Sequence, residues 1–194
     1  CMCTCVHVCM CACVHVCIDG HISHSLFLFR ETFKKGELGA FFLTEKNAGV
    51  LSGLIVQTIA TWTPKGYVVT SPDPHDQSMK NWISQGLTAK WGVVIARLIL
   101  PNQEDKGPHA FLIDLELPGI RKIDMARKTD FNCLDNAQCI FDDVLVPHTA
   151  LLSGISYVDQ DGRYVLRDPN VPFNFVMVAQ RLLSGRICVA GVAL

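Results

Sequence analysis

Apolar and polar positions change rhythm along this chain. Between residues 39 and 147 the apolar residues fall in short runs: 39–45 (GAFFLTE), 54–62 (LIVQTIATW), 66–70 (GYVVT), 91–100 (WGVVIARLIL), 109–115 (HAFLIDL) and 135–144 (DNAQCIFDDV). The runs are rich in β-branched and aromatic residues, which fit a pleated surface, so they read as strands. Turn-forming stretches separate them: 63–66 (TPKG), 71–75 (SPDPH), the polar loop 101–108 and 117–119 (LPG). The Pro and Gly of residues 63–66 predict a hairpin joining the runs on either side. Short strands with turns between them predict a mainly β architecture, an antiparallel barrel or sandwich, with 135–144 as its last strand. Residues 157–172 are rich in Asp, Gly and Pro and read as a hairpin or linker. From Asn174 onward the period becomes helical, with Phe175, Val178, Ala179, Leu182, Leu183, Arg186 and Ile187 on one face and no proline. That apolar helix runs to Leu194 without a cap signal, so its packing partners are expected to lie outside the chain.

The first thirty residues follow neither rhythm. Seven of the ten cysteines fall within residues 1–17 (CMCTCVHVCMCACVHVC). Cys and His are metal ligands, but structural zinc sites use C-x(2–4)-C, whereas this spacing is C-x-C. A secretory signal would begin with a basic stretch, and none precedes the apolar residues. The third reading is the favoured one. TG/CA repeats translate into this composition, and residues 25–30 (SLFLFR) can be encoded by a pyrimidine run ending in CAG, as introns end. Residues 1–30 are therefore expected to be translated intron, with coding sequence resuming at Glu31 and no evolved metal site. The domains expected are this low-complexity segment at 1–30, a β domain at 31–150, a linker or hairpin at 151–172, and a truncated first helix of an α domain at 173–194.

Composition narrows the function. The 17 basic and 18 acidic residues nearly balance, so no nucleic-acid partner is expected. The apolar run at 93–100 is too short to span a bilayer and contains Arg97, so no membrane span is expected. Cys133, Cys139 and Cys188, scattered through the remainder, suit a reduced interior rather than a disulfide framework.

Four stretches, in order and with fitting spacing, carry a resemblance to a known family. Residues 42–49 (FLTEKNAG) resemble its strand-end motif of aromatic-x-Leu/Val-Thr-Glu-x-x-x-Gly. Residues 80–86 (KNWISQG) resemble K-x-W-I-T/S-N-A/G. Residues 141–147 (FDDVLVP) are similar to the F-x-x-V-x-V-P strand that closes its middle domain, and residues 180–186 (QRLLSGR) to the opening of its helical domain. The family is that of the acyl-CoA oxidases and acyl-CoA dehydrogenases, and the resemblance covers residues 39–194. The stretch after Gly49 (VLSGL) lacks the Gly-Ser-Asp continuation of the dehydrogenases, and the insertion at 157–165 looks like the oxidase loop, so the oxidase branch is favoured.

The resemblance implies an FAD-dependent enzyme that oxidises fatty acyl-CoA in β-oxidation, passes electrons to oxygen, works in the peroxisome and is a homodimer when complete. It implies cofactor contacts from Leu43, Thr44, Trp82, Ile83 and Ser84, and a substrate contact from Ser52. The residue types suit those roles. Thr44 offers a hydroxyl and a backbone N–H to a flavin edge, although a strand-end Thr can equally satisfy its own turn. Trp82 offers a flat apolar face, and Ser84, two residues on, points to the same side of an extended chain. The alternative is a core Trp beside a surface Ser. Gly86 permits close approach of a cofactor or simply a turn. Glu45 reads as structural, and His75, His109 and His148 as solvated. The reaction in this family removes the α proton of the acyl-CoA with a carboxylate while hydride leaves the β carbon for the flavin. The family's catalytic Glu lies in the later helical domain, so no catalytic residue is assigned in this chain, and the isolated polypeptide is expected to be inactive. Two other readings stay open: an acyl-CoA dehydrogenase fragment, and a non-enzymatic β-barrel that binds an apolar ligand.

Overall fold

A computed structural model describes residues 37–47, 56–73, 78–129, 132–154 and 156–167. Within them the chain is mainly β. The strands are β1 (Gly39–Phe42), β2 (Ile59–Thr63), β3 (Gly66–Thr70), β4 (Lys80–Ser84), β5 (Trp91–Ile99), β6 (Asp105–Asp114), β7 (Ile120–Asp124), β8 (Asn136–Phe141), β9 (Val144–Val146), β10 (Ser156–Val158) and β11 (Tyr164–Leu166). A single 3-10 turn covers His148–Ala150. The helical pattern at 174–194 and the Cys-rich segment lie outside the described residues.

The long strand β5 organises the larger sheet. β6 pairs antiparallel along one edge from Trp91↔Asp114 to Ile99↔Asp105. The other edge is shared by two parallel neighbours: β1 against the first half (Gly39↔Trp91) and β2 against the second (Ile59↔Arg97). β2 turns into β3 through the predicted hairpin, and β9 extends the sheet beside β3. Most pairings are antiparallel, as expected, and the two parallel ones bring β1 and β2 to one edge of β5. A three-stranded sheet, β4-β8-β7, packs across it. The two sheets enclose a core that includes Phe42, Tyr67, Val94, Phe111 and Phe141. Phe42 and Phe141 meet edge to face at 6.4 Å between ring centres, joining β1 of one sheet to β8 of the other. Cys139 is buried in this core, and burial pushes its thiol up to about 12, so it behaves as a small apolar residue.

Boundaries differ from the sequence reading, and two strands went unread. β6 begins at Asp105, inside the stretch read as loop, because Asp105 and Lys106 are tied to Arg97 and Glu104 along the strand edge. The run at 135–144 divides at the turn Asp142-Asp143, where Asp143 has φ 48°, into β8 and β9. β4 and β7 had no long apolar run to announce them. Gly66 is required where it stands: with φ 144°, an added Cβ would lie 2.1 Å from the Val146 carbonyl oxygen.

Candidate functional site

The end of β1 and the start of β4 meet at one place. Glu45 and Lys80 form an antiparallel bridge. Lys46 N–H donates to the Met79 carbonyl at 3.2 Å, and Asn81 N–H to the Thr44 carbonyl at 2.8 Å. The two side chains at the bridge are an ion pair, Lys80 Nζ to Glu45 Oε1 at 2.8 Å, with side-chain exposures of 0% and 1%. Glu45 also accepts from Gln57 N–H at 2.7 Å, Thr58 N–H at 3.0 Å and the Thr58 hydroxyl at 2.7 Å. Lys80 donates onward to the carbonyls of Ile95 at 2.7 Å and Leu43 at 3.3 Å. Both charges are thus satisfied, as buried charges must be. Burial pulls the Lys80 ammonium below the usual lysine range, and Glu45 opposes that pull. Glu45 is structural, as its position in the sequence suggested, and its partner Lys80 is what sequence reasoning missed.

Two residues beyond Lys80 the backbone is unusual. Lys80 pairs with Cys139 but Ile83 pairs with Ala137, so β4 carries one extra residue against β8. This is a β-bulge. Within it Trp82 adopts φ 57°, a left-handed conformation that a bulky residue rarely takes. The bulge turns the indole outward, 58% exposed, while Ile83 is buried and Ser84 is exposed. Trp82 and Ser84 therefore share a face as expected, but through a bulge rather than through an extended chain. Among the described residues neither the Thr44 nor the Ser84 hydroxyl has a hydrogen-bond partner. The buried Asn81 Oδ1 likewise lacks one. On the same sheet, Ile123 stands exposed opposite Gln138 on β8 and widens the apolar face. Leu43 and Ile83 are buried, so only their backbone groups are available to a ligand. Gly86 makes room for the sheet: an added Cβ would lie 2.7 Å from Ala137 Cβ.

Where β4 ends, an open cleft of about 510 Å³ begins, lined among others by Gln85, Thr88, Arg127, Lys128, Asn132 and Asn136. Asp135 on its wall is engaged by Leu87 N–H and the Thr88 hydroxyl. Lys128 donates to Asn136 Oδ1 at 2.8 Å. Arg127 has no acidic partner among the described residues. A guanidinium beside amides and a hydroxyl can receive an anionic oxygen ligand. No signal in the sequence marked this cleft beyond the pair Arg127-Lys128 after a strand.

Ser52 and His75 lie outside the described residues. His148 is exposed, as expected, against the rings of Trp62 and Tyr67. His109 is not solvated, contrary to the sequence reading. It is buried in β6, with Nδ1 2.9 Å from the Gly107 carbonyl and Nε2 3.0 Å from both Ser156 Oγ and Tyr164 Oη, and burial lowers its pKa. Gly107, with φ 78°, lies within β6 two residues before His109 and supplies the carbonyl that Nδ1 meets. Among the described residues no cluster of metal-ligating side chains occurs, and no helix is long and apolar enough to cross a membrane.

No family model matches the chain. The peroxisomal acyl-coenzyme A oxidase 2 of Arabidopsis thaliana is 32% identical over 166 residues, 78% of this chain and 24% of the relative. The chain belongs to the acyl-CoA oxidase family. Its fold agrees with solved oxidases. The tomato acyl-CoA oxidase LeACX1 superposes with a TM-score of 0.77 at 27% identity, over 92% of this chain and 29% of the tomato chain. Acyl-CoA oxidase-2 of Caenorhabditis elegans, solved with FAD, ascaroside-CoA and ATP, superposes with a TM-score of 0.66 at 25% identity, over 73% of this chain and 22% of that one. This oxidase-family chain spans about a quarter of the length of the curated relatives it matches.

Proposed function

We propose that this chain supplies the flavin-facing β domain of an FAD-dependent acyl-CoA oxidase, a homodimer when complete, acting on fatty acyl-CoA in a peroxisomal setting such as the name of its Arabidopsis relative gives. The observation that carries the reading is Trp82: a bulky residue in a left-handed bulge, presenting more than half its surface outward from a packed sheet. A backbone held in so unfavourable a region is expected where the surrounding structure uses it.

The residues present fit the flavin. Its ring has two apolar faces and a polar edge. Trp82 can cover one face and keep water from it. The Thr44 and Ser84 hydroxyls stand ready for the edge. Asn81 Oδ1, buried and unpartnered beside Trp82, offers an acceptor for a donor group. When bound, FAD supplies the two-electron acceptor that α,β-dehydrogenation of an acyl-CoA requires. The protein's contribution here is to orient and to dry. Glu45, the one buried acid among the described residues, is saturated by four donors and so is not free to act as the base. The catalytic carboxylate is therefore assigned to none of the described residues. Ser52 is kept as the residue facing the thioester. Arg127 and its cleft suit the phosphates of coenzyme A.

Desalting the purified chain after incubation with FAD tests the reading. A yellow protein with stoichiometric flavin is the expected outcome. A folded chain that elutes colourless overturns it.

A further inference from the structure

A fully buried ion pair is a poor stabilising device, because apolar residues of similar volume serve as well or better. Its distinctive property is discreteness. Glu45 takes four donors and Lys80 gives to three acceptors, Glu45 Oε1, Leu43 O and Ile95 O, so every ammonium proton is used. That set is complete in one register of residues 43–46 against 79–81, and a slip of one residue would strand both charges in the core. The pair also sits between the residues that face the ligand: Glu45 follows Thr44, and Lys80 precedes Trp82 by two. The strained bulge begins directly after it.

We propose that Glu45 and Lys80 are a positioning pair that sets the register of Thr44 against Trp82 and so holds the flavin platform in shape. The inference rests on the flavin reading for its consequence and on the fold alone for its geometry. Neither residue touches the ligand. They act through the two segments that do, as a supporting shell fixes the groups in front of it.

The test replaces both charges at once, Glu45→Leu with Lys80→Met, in the full chain, and reads three quantities. The first is the melting transition, expected to stay cooperative. The second is the Trp82 indole N–H resonance, assigned with Trp82→Phe, expected to be single in the parent and split or broadened in the double variant. The third is FAD affinity by flavin fluorescence, expected to fall about tenfold. A second variant, Thr58→Val, removes one hydroxyl donor to Glu45 without placing a charge in the core, and is expected to weaken FAD about threefold. An unchanged indole resonance with unchanged affinity in the double variant overturns the proposal. If the double variant does not fold, an unaltered resonance in Thr58→Val overturns it instead. A parent chain that fails to bind FAD removes the flavin reading while the resonance still decides whether the pair sets the register.

Discussion

Replacing Glu45 by Gln separates the carboxylate's charge from its shape. The amide can still accept from Thr58 and Lys80 through one oxygen, but it leaves the Lys80 ammonium without a counter-charge in the core. Burial already pulls Lys80 below the usual lysine range, and Glu45 is the main opposing influence. Without it, burial is expected to strip the proton from Lys80 in the folded variant. Removing a proton from a group whose unfolded pKa is about 10.4 costs about 4–5 kcal/mol at pH 7, the same range as breaking a buried pair from one side, about 3–5 kcal/mol. The unfolded variant then binds one more proton than the folded one, so its stability rises with pH by about 1.4 kcal/mol per unit until the unfolded lysine titrates. Urea unfolding of parent and variant at pH 7, 8 and 9 measures this directly. The gap between them should narrow by about 2–3 kcal/mol over those two units. A gap that stays constant with pH would refute the idea that Glu45 keeps Lys80 charged.

Three further outcomes follow from the same structure. Because burial lowers the pKa of His109, the unfolded chain takes up a proton before the folded one as pH falls below about 6.5, so the melting temperature should drop on acidification, and less steeply in His109→Gln. Gly66→Ala should cost about 2–4 kcal/mol in chemical unfolding, because the new Cβ meets the Val146 carbonyl and φ 144° suits only glycine. Arg127→Ala should raise the Kd for an acyl-CoA about tenfold while leaving the flavin spectrum unchanged, the loss of one charged contact to phosphate.

How much of this was legible follows from how locally each feature is encoded. β2, β3 and β5 were readable because each lies in a short apolar run rich in β-branched and aromatic residues, and the hairpin between β2 and β3 because Pro64 and Gly66 specify a turn. β4 escaped because five residues (KNWIS) containing a bulge have no regular alternation. The early start of β6 escaped because its first residues are charged, and what holds them in the strand is Arg97, a pairing partner on another strand. His109 was misplaced for the same reason: its partners Ser156 and Tyr164 are 47 and 55 residues away. The family motifs pointed to Thr44, Trp82 and Ser84, of which Trp82 and Ser84 are exposed and Thr44 is half-buried. The structure also shows that Lys80, a mere letter of the motif, is fully buried. A lysine among apolar strand residues, with a glutamate in the preceding motif, was the available hint.

The flavin platform stands or falls on Trp82. Its side chain is largely exposed, so Trp82→Ala should leave the fold intact. Stacking of a flat ring on an aromatic side chain contributes about 1–3 kcal/mol, roughly 5- to 150-fold in Kd. Titrating FAD into the chain and into Trp82→Ala, with flavin fluorescence as the signal, measures that factor. Tight binding by the parent and a loss of that size in the variant, at an unchanged melting temperature, are the expected result. Equal affinity in the two proteins would contradict it.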